Sequence, residues 1–322
     1  MPETIYITKD CNLSRDESTI LVKPTEGKKL KFPVHNVGHL VMMGDGQIST
    51  KLMSLCGANG IRISIFDYYG WYKGSFEPVE RQQSGIINVK QANLIQSPEG
   101  LEIAKSIIRT TVSNTVANLR YHQYRGKHTL AESIAFIEKQ AEALHQARNR
   151  EEIMGAEGII KRTYYESWKL VDPRLDFGKR VKRPPNNPIN CLISFLNALV
   201  YSAIRHEIMK SHLNETLSFL HAPSQARSSL SLDLSEPYKP LIADRIIWSS
   251  VRKGGMDDNW FDRPDENVCL LSDVGRKAVV SEFSKLLDGD EGFRKGMRET
   301  VMSLERKIHD PEEPLYLPRR RV

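Results

Sequence analysis

The hydrophobic pattern of this chain changes its period once, and that change limits which folds are open to it. Over roughly the first 85 residues, apolar side chains alternate with polar ones, as in residues 4–8 and 61–65. Such alternation is typical of strands with one buried face. From about Leu101 the apolar residues recur every three or four positions, which is the period of an amphipathic helix. The pattern therefore predicts an α+β fold, with a small N-terminal β-rich domain followed by a larger all-α domain.

Turn and cap residues set the expected ends of the helices. Gly126 is placed to end a helix that starts near Leu101, and Thr129 with Glu132 forms a capping-box pattern for the next helix. A proline-rich loop is expected from Asp172 to Pro188. Further helices are expected near residues 49–57, 151–170, 189–210, 241–251, 275–287 and 292–308.

A chain of 322 residues is long enough for about two domains. The change of period and the distribution of turn residues predict a β-rich domain at 1–85, a linker at 86–100 and a helical domain at 101–310. The last residues, 311–322, are rich in proline and arginine and are expected to form a mobile basic tail.

Composition argues against a membrane protein and against a secreted one. The longest apolar stretch, Cys191–Ala203, is interrupted by Ser194 and Asn197 and is too short for an ordinary membrane span. The start of the chain has no basic segment followed by an apolar one, so no signal peptide is expected. The four cysteines lie far apart without a CxxC pair, which fits reduced thiols in the cytoplasm.

The first candidate for chemistry is Glu157, which lies on the inward face of the helix expected at 151–170. Ile153, Glu157, Ile160 and Tyr164 follow one another at intervals of three or four positions, so they share that face. A carboxylate among apolar side chains is costly unless it is paired, protonated or bound to a metal. An ion pair with an arginine of another helix would satisfy it equally well.

Two further candidates lie later in the chain. His221 ends a short apolar run, where it is either a hydrogen-bonded core histidine or a metal ligand. If residues 229–237 are helical, Asp233 and Glu236 share one face, and two adjacent carboxylates repel each other unless a cation joins them. A solvated acidic turn is the alternative for that segment.

Together these side chains would form a site of oxygen and nitrogen ligands. Such a site suits Mg²⁺ or Mn²⁺ better than Zn²⁺, and a cation of that kind can activate an attack on a phosphodiester. The chain carries 46 basic and 40 acidic residues, for a net charge of +6, so a nucleic-acid partner is permitted. The loop before Pro188 concentrates positive charge that could hold a phosphate backbone or form a solvated basic loop, at Arg174, Lys179, Arg180, Lys182 and Arg183.

Five segments, in this order and at this spacing, resemble a known family. They are Met154–Gly158, Tyr164–Tyr165, Asn187–Asn190, Phe219–His221 and Ser229–Pro240. The chain resembles the CRISPR-associated spacer-acquisition integrase, the catalytic large subunit that inserts fragments of foreign DNA into a CRISPR array. It departs from the family pattern at Lys239, where many members have arginine, and at Ser235, where a larger apolar residue is common.

The resemblance implies roles for particular residues. Glu157, His221 and Glu236 match the family's metal-binding triad, and Asp233 matches an acidic residue that supports or joins it. Tyr164, Arg183 and Asn190 match positions near the DNA or the site. The resemblance also implies metal-dependent cutting and joining of DNA, a homodimer formed through the N-terminal β domain, and a small ferredoxin-like partner subunit.

Two other functions fit the same residues. The first is a stand-alone metal-dependent DNA nuclease with water as the nucleophile, because one metal site serves both reactions. The second is a non-catalytic DNA-binding subunit, in which the acids and the histidine form a structural cluster of ion pairs.

Overall fold

The computed structural model describes residues 3–67, 69–78, 84–221, 228–252, 257–290 and 292–320. An N-terminal part rich in strands is followed by a mostly helical part, as the hydrophobic pattern predicted. Ala222 and Pro223, which follow His221, and Arg321 and Val322 at the end of the predicted tail lie outside the described residues.

Among its described residues, the N-terminal part contains two four-stranded sheets and one α-helix. In the first sheet the order is β1-β5-β7-β8, with β1, β5 and β7 parallel and β8 antiparallel to β7. In the second the order is β4-β3-β2-β6. The elements are β1 (Glu3–Ile7), β2 (Cys11–Asp16), β3 (Thr19–Pro24), β4 (Leu30–Pro33), β5 (Val37–Met42), β6 (Gly46–Ile48), α1 (Thr50–Ala58), β7 (Arg62–Phe66) and β8 (Tyr72–Phe76).

The N-terminal part buries one apolar cluster of its own and shares another with the helices. Leu13, Ile20, Leu40 and Ile63 belong to the first cluster. Val41 is adjacent to Leu40 but points to the opposite face of β5, where it joins the core of the helical part. The first sheet therefore packs against the helices through its other face.

The helical part is built around long helices whose apolar faces meet in one core. α6 is long and apolar enough to span a bilayer by length and composition, and 67% of its most apolar window is buried inside the fold. The elements are α2 (Gly85–Gln96), α3 (Pro98–Tyr124), α4 (Ala131–Gln146), α5 (Arg150–Val171), α6 (Pro188–Ile208), α7 (Ser229–Ser235), α8 (Ala243–Arg252), β9 (Phe261–Asp265), β10 (Val268–Leu271), α9 (Asp273–Asp288) and α10 (Phe293–His309).

Three expectations about this architecture are wrong. The predicted linker at 86–100 is mostly α2, because Ile87 and Ile95 give it an apolar face that joins the core. The capping box is absent, since Thr129 lies within a 3₁₀ turn and α4 begins without a side-chain cap. The antiparallel pair β9–β10 was not expected in a helical domain.

The predicted mobile tail is also wrong for the residues that the structure describes. Residues 314–320 run across the helical part, and Leu315 and Leu317 pack against its core. Pro318 is buried, and its carbonyl oxygen accepts a hydrogen bond of 2.9 Å from Asn114 of α3. Apolar contacts and buried hydrogen bonds fix this segment, although its proline and arginine content suggested a solvated end.

Candidate functional site

Two carboxylates from separate parts of the chain meet at one lysine. Glu157 lies on the buried face of α5, and Lys161 follows it one turn later. Glu236 is the first residue of the 3₁₀ turn after α7. The ammonium group of Lys161 lies 2.9 Å from Oε2 of Glu236 and also contacts Oε1 of Glu157. Lys161 and Glu236 are 75 positions apart in sequence, so folding is what brings Glu236 to the ion pair already formed within α5.

Glu236 is almost completely buried, with 2% of its surface exposed. A second lysine, Lys239, follows it by three positions and binds its other carboxylate oxygen. Burial alone would raise the pKa of Glu236, but the charges of Lys161 and Lys239 outweigh it and lower the pKa to about 2. Burial would likewise lower the pKa of Lys161, but Glu236 and Glu157 raise it above its ordinary value. Glu236 and Lys161 are therefore both charged near neutral pH.

His221 is positioned by Asp233. Oδ2 of Asp233 accepts hydrogen bonds of 2.7 and 2.8 Å from the backbone N–H groups of Phe219 and Leu220. Its Oδ1 accepts from the backbone N–H of His221 at 3.0 Å and lies 2.7 Å from Nδ1 of that histidine. Asp233 is completely buried. A carboxylate bound to Nδ1 fixes the ring orientation and leaves Nε2 as the nitrogen that can bind a metal.

The three proposed metal ligands are therefore only partly brought together. Glu157 and Glu236 meet at Lys161, whereas the His221 ring contacts Asp233. Asp233 and Glu236 do not face each other across a shared cation, because each is engaged with different groups. Within the described residues, no three histidine, cysteine, aspartate or glutamate side chains form a group that could hold a metal ion.

The donor set at the carboxylate pair nevertheless fits a hard divalent cation. Glu157 and Glu236 both contact the ammonium group of Lys161, so a positive charge already lies between them. Carboxylate oxygens are the ligands that Mg²⁺ and Mn²⁺ prefer, and an imidazole is compatible with them.

A basic cavity of about 1240 Å³ opens beside this carboxylate pair. Lys161 and Lys239, which form ion pairs with Glu236, also line the wall of the cavity. Two acidic residues, Glu166 and Glu215, line it as well, and Glu215 is paired with Arg205. The basic lining residues are Lys161, Arg162, Lys179, Arg180, Lys182, Arg183, Arg205 and Lys239.

Aromatic rings are interleaved with these charges. Trp71 and Tyr72 reach the cavity from the N-terminal part, and the guanidinium of Arg183 lies 5.2 Å from the centre of the Trp71 ring. Tyr165, Phe177 and Tyr201 belong to the helical part. Cationic side chains with exposed ring faces can hold a phosphate backbone and stack on bases.

Four of the seven residues predicted to bind DNA line this cavity: Lys179, Arg180, Lys182 and Arg183. Arg180 is also anchored, because its guanidinium donates to Oδ1 of Asn190 at 3.0 Å and to Oγ of Ser194 at 2.9 Å. Arg174 does not line the cavity and forms a bidentate ion pair with Asp172.

Tyr164 and Asn190, which were also predicted to bind DNA, do not line the cavity. Tyr164 is buried, and its hydroxyl donates to Oδ2 of Asp244 at 2.9 Å. Asn190 is also buried and donates to the carbonyl oxygen of Lys179 at 3.0 Å. Both side chains are used inside the protein, so Asn190 shapes the basic loop without facing the cavity.

Three residues of this region had no role predicted for them from the sequence. Lys161 and Lys239 follow Glu157 and Glu236 by four and three positions, so helical spacing was a signal that could have identified them. Asp244 is buried beside Tyr164, and burial raises its pKa to about 7. Nothing in its local sequence distinguishes Asp244 from an exposed aspartate, since α8 follows a turn whose path is set by tertiary packing.

Comparison with known proteins agrees with this architecture. Residues 5–285 match the family model described as CRISPR associated protein Cas1. The CRISPR-associated endonuclease Cas1 of Clostridium perfringens is 37% identical over 292 residues, covering 89% of this chain and 87% of that protein. A CAS1 protein from Thermotoga maritima superposes with a TM-score of 0.87 at 27% identity, over 99% of this chain and 100% of the other.

Two more distant structures share the fold. A casposase bound to integration product has a TM-score of 0.85 at 20% identity, over 100% of this chain and 96% of that one. A Cas6-RT-Cas1–Cas2 complex contains a chain with a TM-score of 0.83 at 18% identity, covering 98% of this chain and 36% of that one.

Proposed function

This chain belongs to the Cas1 family of CRISPR-associated proteins, and on that premise we propose that it cuts and joins DNA in a metal-dependent reaction that inserts foreign DNA fragments into a CRISPR array. The observation that carries the proposal is the pair of buried carboxylates, Glu157 and Glu236, which converge on one cation at the wall of a basic cavity. The relatives named as endonucleases support cutting, and the casposase with its integration product supports joining.

Glu157, Glu236 and His221 would hold a Mg²⁺ or Mn²⁺ ion, with Lys161 giving up its place between the carboxylates. When bound, such an ion lowers the pKa of an attacking hydroxyl and offsets the charge that develops on the phosphate. Asp233 keeps His221 in the tautomer whose Nε2 is free to act as a ligand. Lys239 holds Glu236 ionised and oriented throughout.

The cavity positions the DNA for this reaction. Lys179, Lys182 and Arg183 would neutralise backbone phosphates, and the rings of Trp71 and Tyr165 line the same cavity. Transesterification requires the 3′-hydroxyl of a captured fragment and a phosphodiester of the array to be held in line. The rate gain from such positioning is large, because two bound reactants react as one.

Assembly and location follow from the same assignment. The N-terminal sheets are proposed to form a homodimer, and a small ferredoxin-like subunit is proposed as a further partner. The complex of a similar chain with Cas2 supports a two-protein assembly. An enzyme that acts on a CRISPR array is expected in the cytoplasm, where its four buried free cysteines would stay reduced.

A joining assay tests the proposal. The protein is incubated with Mn²⁺, a labelled DNA fragment and a supercoiled plasmid that carries a CRISPR repeat. Transfer of the label to the plasmid is expected, and a fragment that lacks its 3′-hydroxyl should abolish it. Nicking without transfer would instead indicate the stand-alone nuclease, and binding without either reaction would indicate the non-catalytic subunit.

Variants separate the site from the rest of the protein. Glu157→Ala is expected to abolish joining, because it removes one of the two converging carboxylates. Glu138→Ala is the matched control, since Glu138 is an exposed carboxylate of α4 paired with Arg120. Equal joining by both variants would contradict the assignment of Glu157.

A further inference from the structure

The C-terminal segment at residues 314–320, here called the strap, is connected to the turn that carries Glu236. Leu315 and Leu317 seat the strap on the helical core, and the backbone N–H of Tyr316 donates to Oγ of Ser303 at 2.9 Å. The strap then passes over α3, where two buried asparagines lie one helical turn apart. Their contacts link the strap to the site.

Asn114 is the first connection. Its side-chain nitrogen donates to the carbonyl oxygen of Pro237 at 2.9 Å and to that of Pro318 at 2.9 Å. Its side-chain oxygen accepts from the backbone N–H of Arg320 at 2.9 Å. A single amide, with 1% of the residue exposed, therefore holds the residue after Glu236 on one side and the strap on the other.

Asn118 is the second connection. Its side-chain nitrogen donates to the carbonyl oxygen of Pro240 at 2.8 Å and to the hydroxyl of Tyr164 at 3.2 Å. Its side-chain oxygen accepts from the guanidinium of Arg320. Arg320 thereby fixes which way the Asn118 amide faces, because its donor requires the oxygen on the strap side.

Both connections end on the same short turn. Residues 236–240 contain the carboxylate of Glu236 and the ammonium of Lys239. Pro237 and Pro240 lie in the same turn, and the two asparagines donate to their carbonyl oxygens. A buried amide without its partners is costly, so loss of the strap would let each asparagine reorient and release its carbonyl. The turn would then hold Glu236 less firmly.

We propose that the strap, through Arg320, is a positioning element that sets the location of Glu236 in the cation site. Arg320 acts through Asn118 and the turn, whereas Glu236 would itself bind the cation. The inference rests on the proposed function, because the reaction assigned there is what a misplaced Glu236 would slow.

Arg320 has a matched control in the adjacent residue. Arg319 is exposed and carries the same charge. Arg319→Ala and Arg320→Ala therefore remove equal charge from the strap, but only the second removes the donor to Asn118. Arg320→Lys keeps a charge and a donor and is the conservative variant.

The experiment measures three quantities for the full-length variants, the third being DNA affinity, at a temperature where circular dichroism shows each of them folded. The first is the single-turnover rate of joining at saturating DNA. The second is the Mn²⁺ concentration that gives half of the metal-induced rise in melting temperature. Arg320→Ala should lower the rate about 10- to 100-fold, as expected for a misplaced catalytic group, and should raise the half-saturating Mn²⁺ concentration several-fold. DNA affinity should match that of Arg319→Ala.

Arg319→Ala should leave the rate and the Mn²⁺ response unchanged, and Arg320→Lys should recover part of both. Equal effects of Arg319→Ala and Arg320→Ala would overturn the inference, as would a change confined to DNA affinity or to melting temperature. If Arg320→Ala does not fold, failure of Arg320→Lys to alter either quantity would overturn it. A wild-type protein that neither cuts nor joins DNA would refute the proposed function, while the Mn²⁺ titration would still decide the role of Arg320.

Discussion

Nζ of Lys161 lies 2.9 Å from Oε2 of Glu236, and the same ammonium group contacts Glu157 one helical turn earlier in α5. Lys161 does part of what a divalent cation would do, since its single positive charge offsets the repulsion between two carboxylates. The protein can therefore fold with Glu157 and Glu236 close together before any metal binds. A cation that binds there must displace Lys161, whose side chain is 34% exposed and so has a route to solvent.

Replacing Lys161 tests whether the carboxylates of Glu157 and Glu236 need a positive charge between them for stability. Lys161→Ala is expected to lower the free energy of unfolding by about 1–3 kcal/mol without metal, because one partner of a largely buried ion pair is removed. Millimolar Mn²⁺ should restore part of that loss by mass action. Urea denaturation with and without Mn²⁺ measures both effects.

Lys285→Ala is the control for this substitution. Lys285 pairs with Glu282 on the surface of α9, where 69% and 39% of the two side chains are exposed. Its removal should change stability by less than about 1 kcal/mol and should not confer a response to Mn²⁺. A Lys161→Ala protein as stable as this control would show that the carboxylates do not need the charge.

Asp244 gives the protein a specific dependence on pH. Burial raises its folded pKa to about 7 from an ordinary value of 3.8, so between these values the folded state holds a proton that the unfolded state has lost. Stability from this residue is present below about pH 4 and declines as pH rises toward 7. Asp244→Asn should remove that decline and raise the urea midpoint at pH 8 relative to wild type. Parallel midpoints from pH 5 to pH 8 would contradict the assignment.

The basic loop should contribute to DNA affinity through charge. Lys182→Glu is expected to weaken binding and to reduce the slope of log K against log salt by about 1, because one phosphate contact is lost. Arg174→Glu is the control, since Arg174 is paired with Asp172 outside the cavity. Fluorescence anisotropy over a salt series measures the slopes. An unchanged slope for Lys182→Glu would place the DNA elsewhere.

Arg180 should behave differently from Lys182 although both line the cavity. Its guanidinium is bonded to Asn190 and Ser194, so Arg180→Glu should lower the melting temperature as well as DNA affinity. A loss of affinity with no loss of stability would show that these hydrogen bonds do not hold the loop.

Asp233 should act on the site through His221. Asp233→Asn removes the carboxylate that accepts from three backbone N–H groups and binds Nδ1. Loss of such a supporting partner typically costs about 10- to 100-fold in metal affinity or activity. The half-saturating Mn²⁺ concentration for DNA joining should rise by that factor while DNA affinity stays the same. A loss of DNA affinity in Asp233→Asn would instead indicate that residues 219–221 have lost their folded conformation.

The order of the two parts and several residues of the candidate site could be predicted from local sequence patterns. The change from alternation to helical spacing predicted the order of the two parts, and the inward position of Glu157 follows from Ile153 and Ile160 on the same face. The acidic residues after Leu232 were recognisable as candidates because like charges at helical spacing need partners.

The remaining features depend on contacts between distant segments. Asn190 and Tyr164 are polar residues in motifs near the site, and only packing shows that the fold uses both internally. The strap is rich in proline and arginine, which suggested mobility, yet Asn114 and Asn118 supply partners that are about 200 residues away in sequence. Short-range patterns carry no signal for such pairings.

The position of a bound cation tests the central claim most directly. Crystals of the protein soaked in Mn²⁺, with data collected near the manganese absorption edge, would locate the ion by its anomalous scattering. One peak is expected in contact with the carboxylates of Glu157 and Glu236 and with Nε2 of His221, and Lys161 should have moved out of the pair. A protein that keeps Lys161 between Glu157 and Glu236, with manganese bound elsewhere or not at all, would contradict the account.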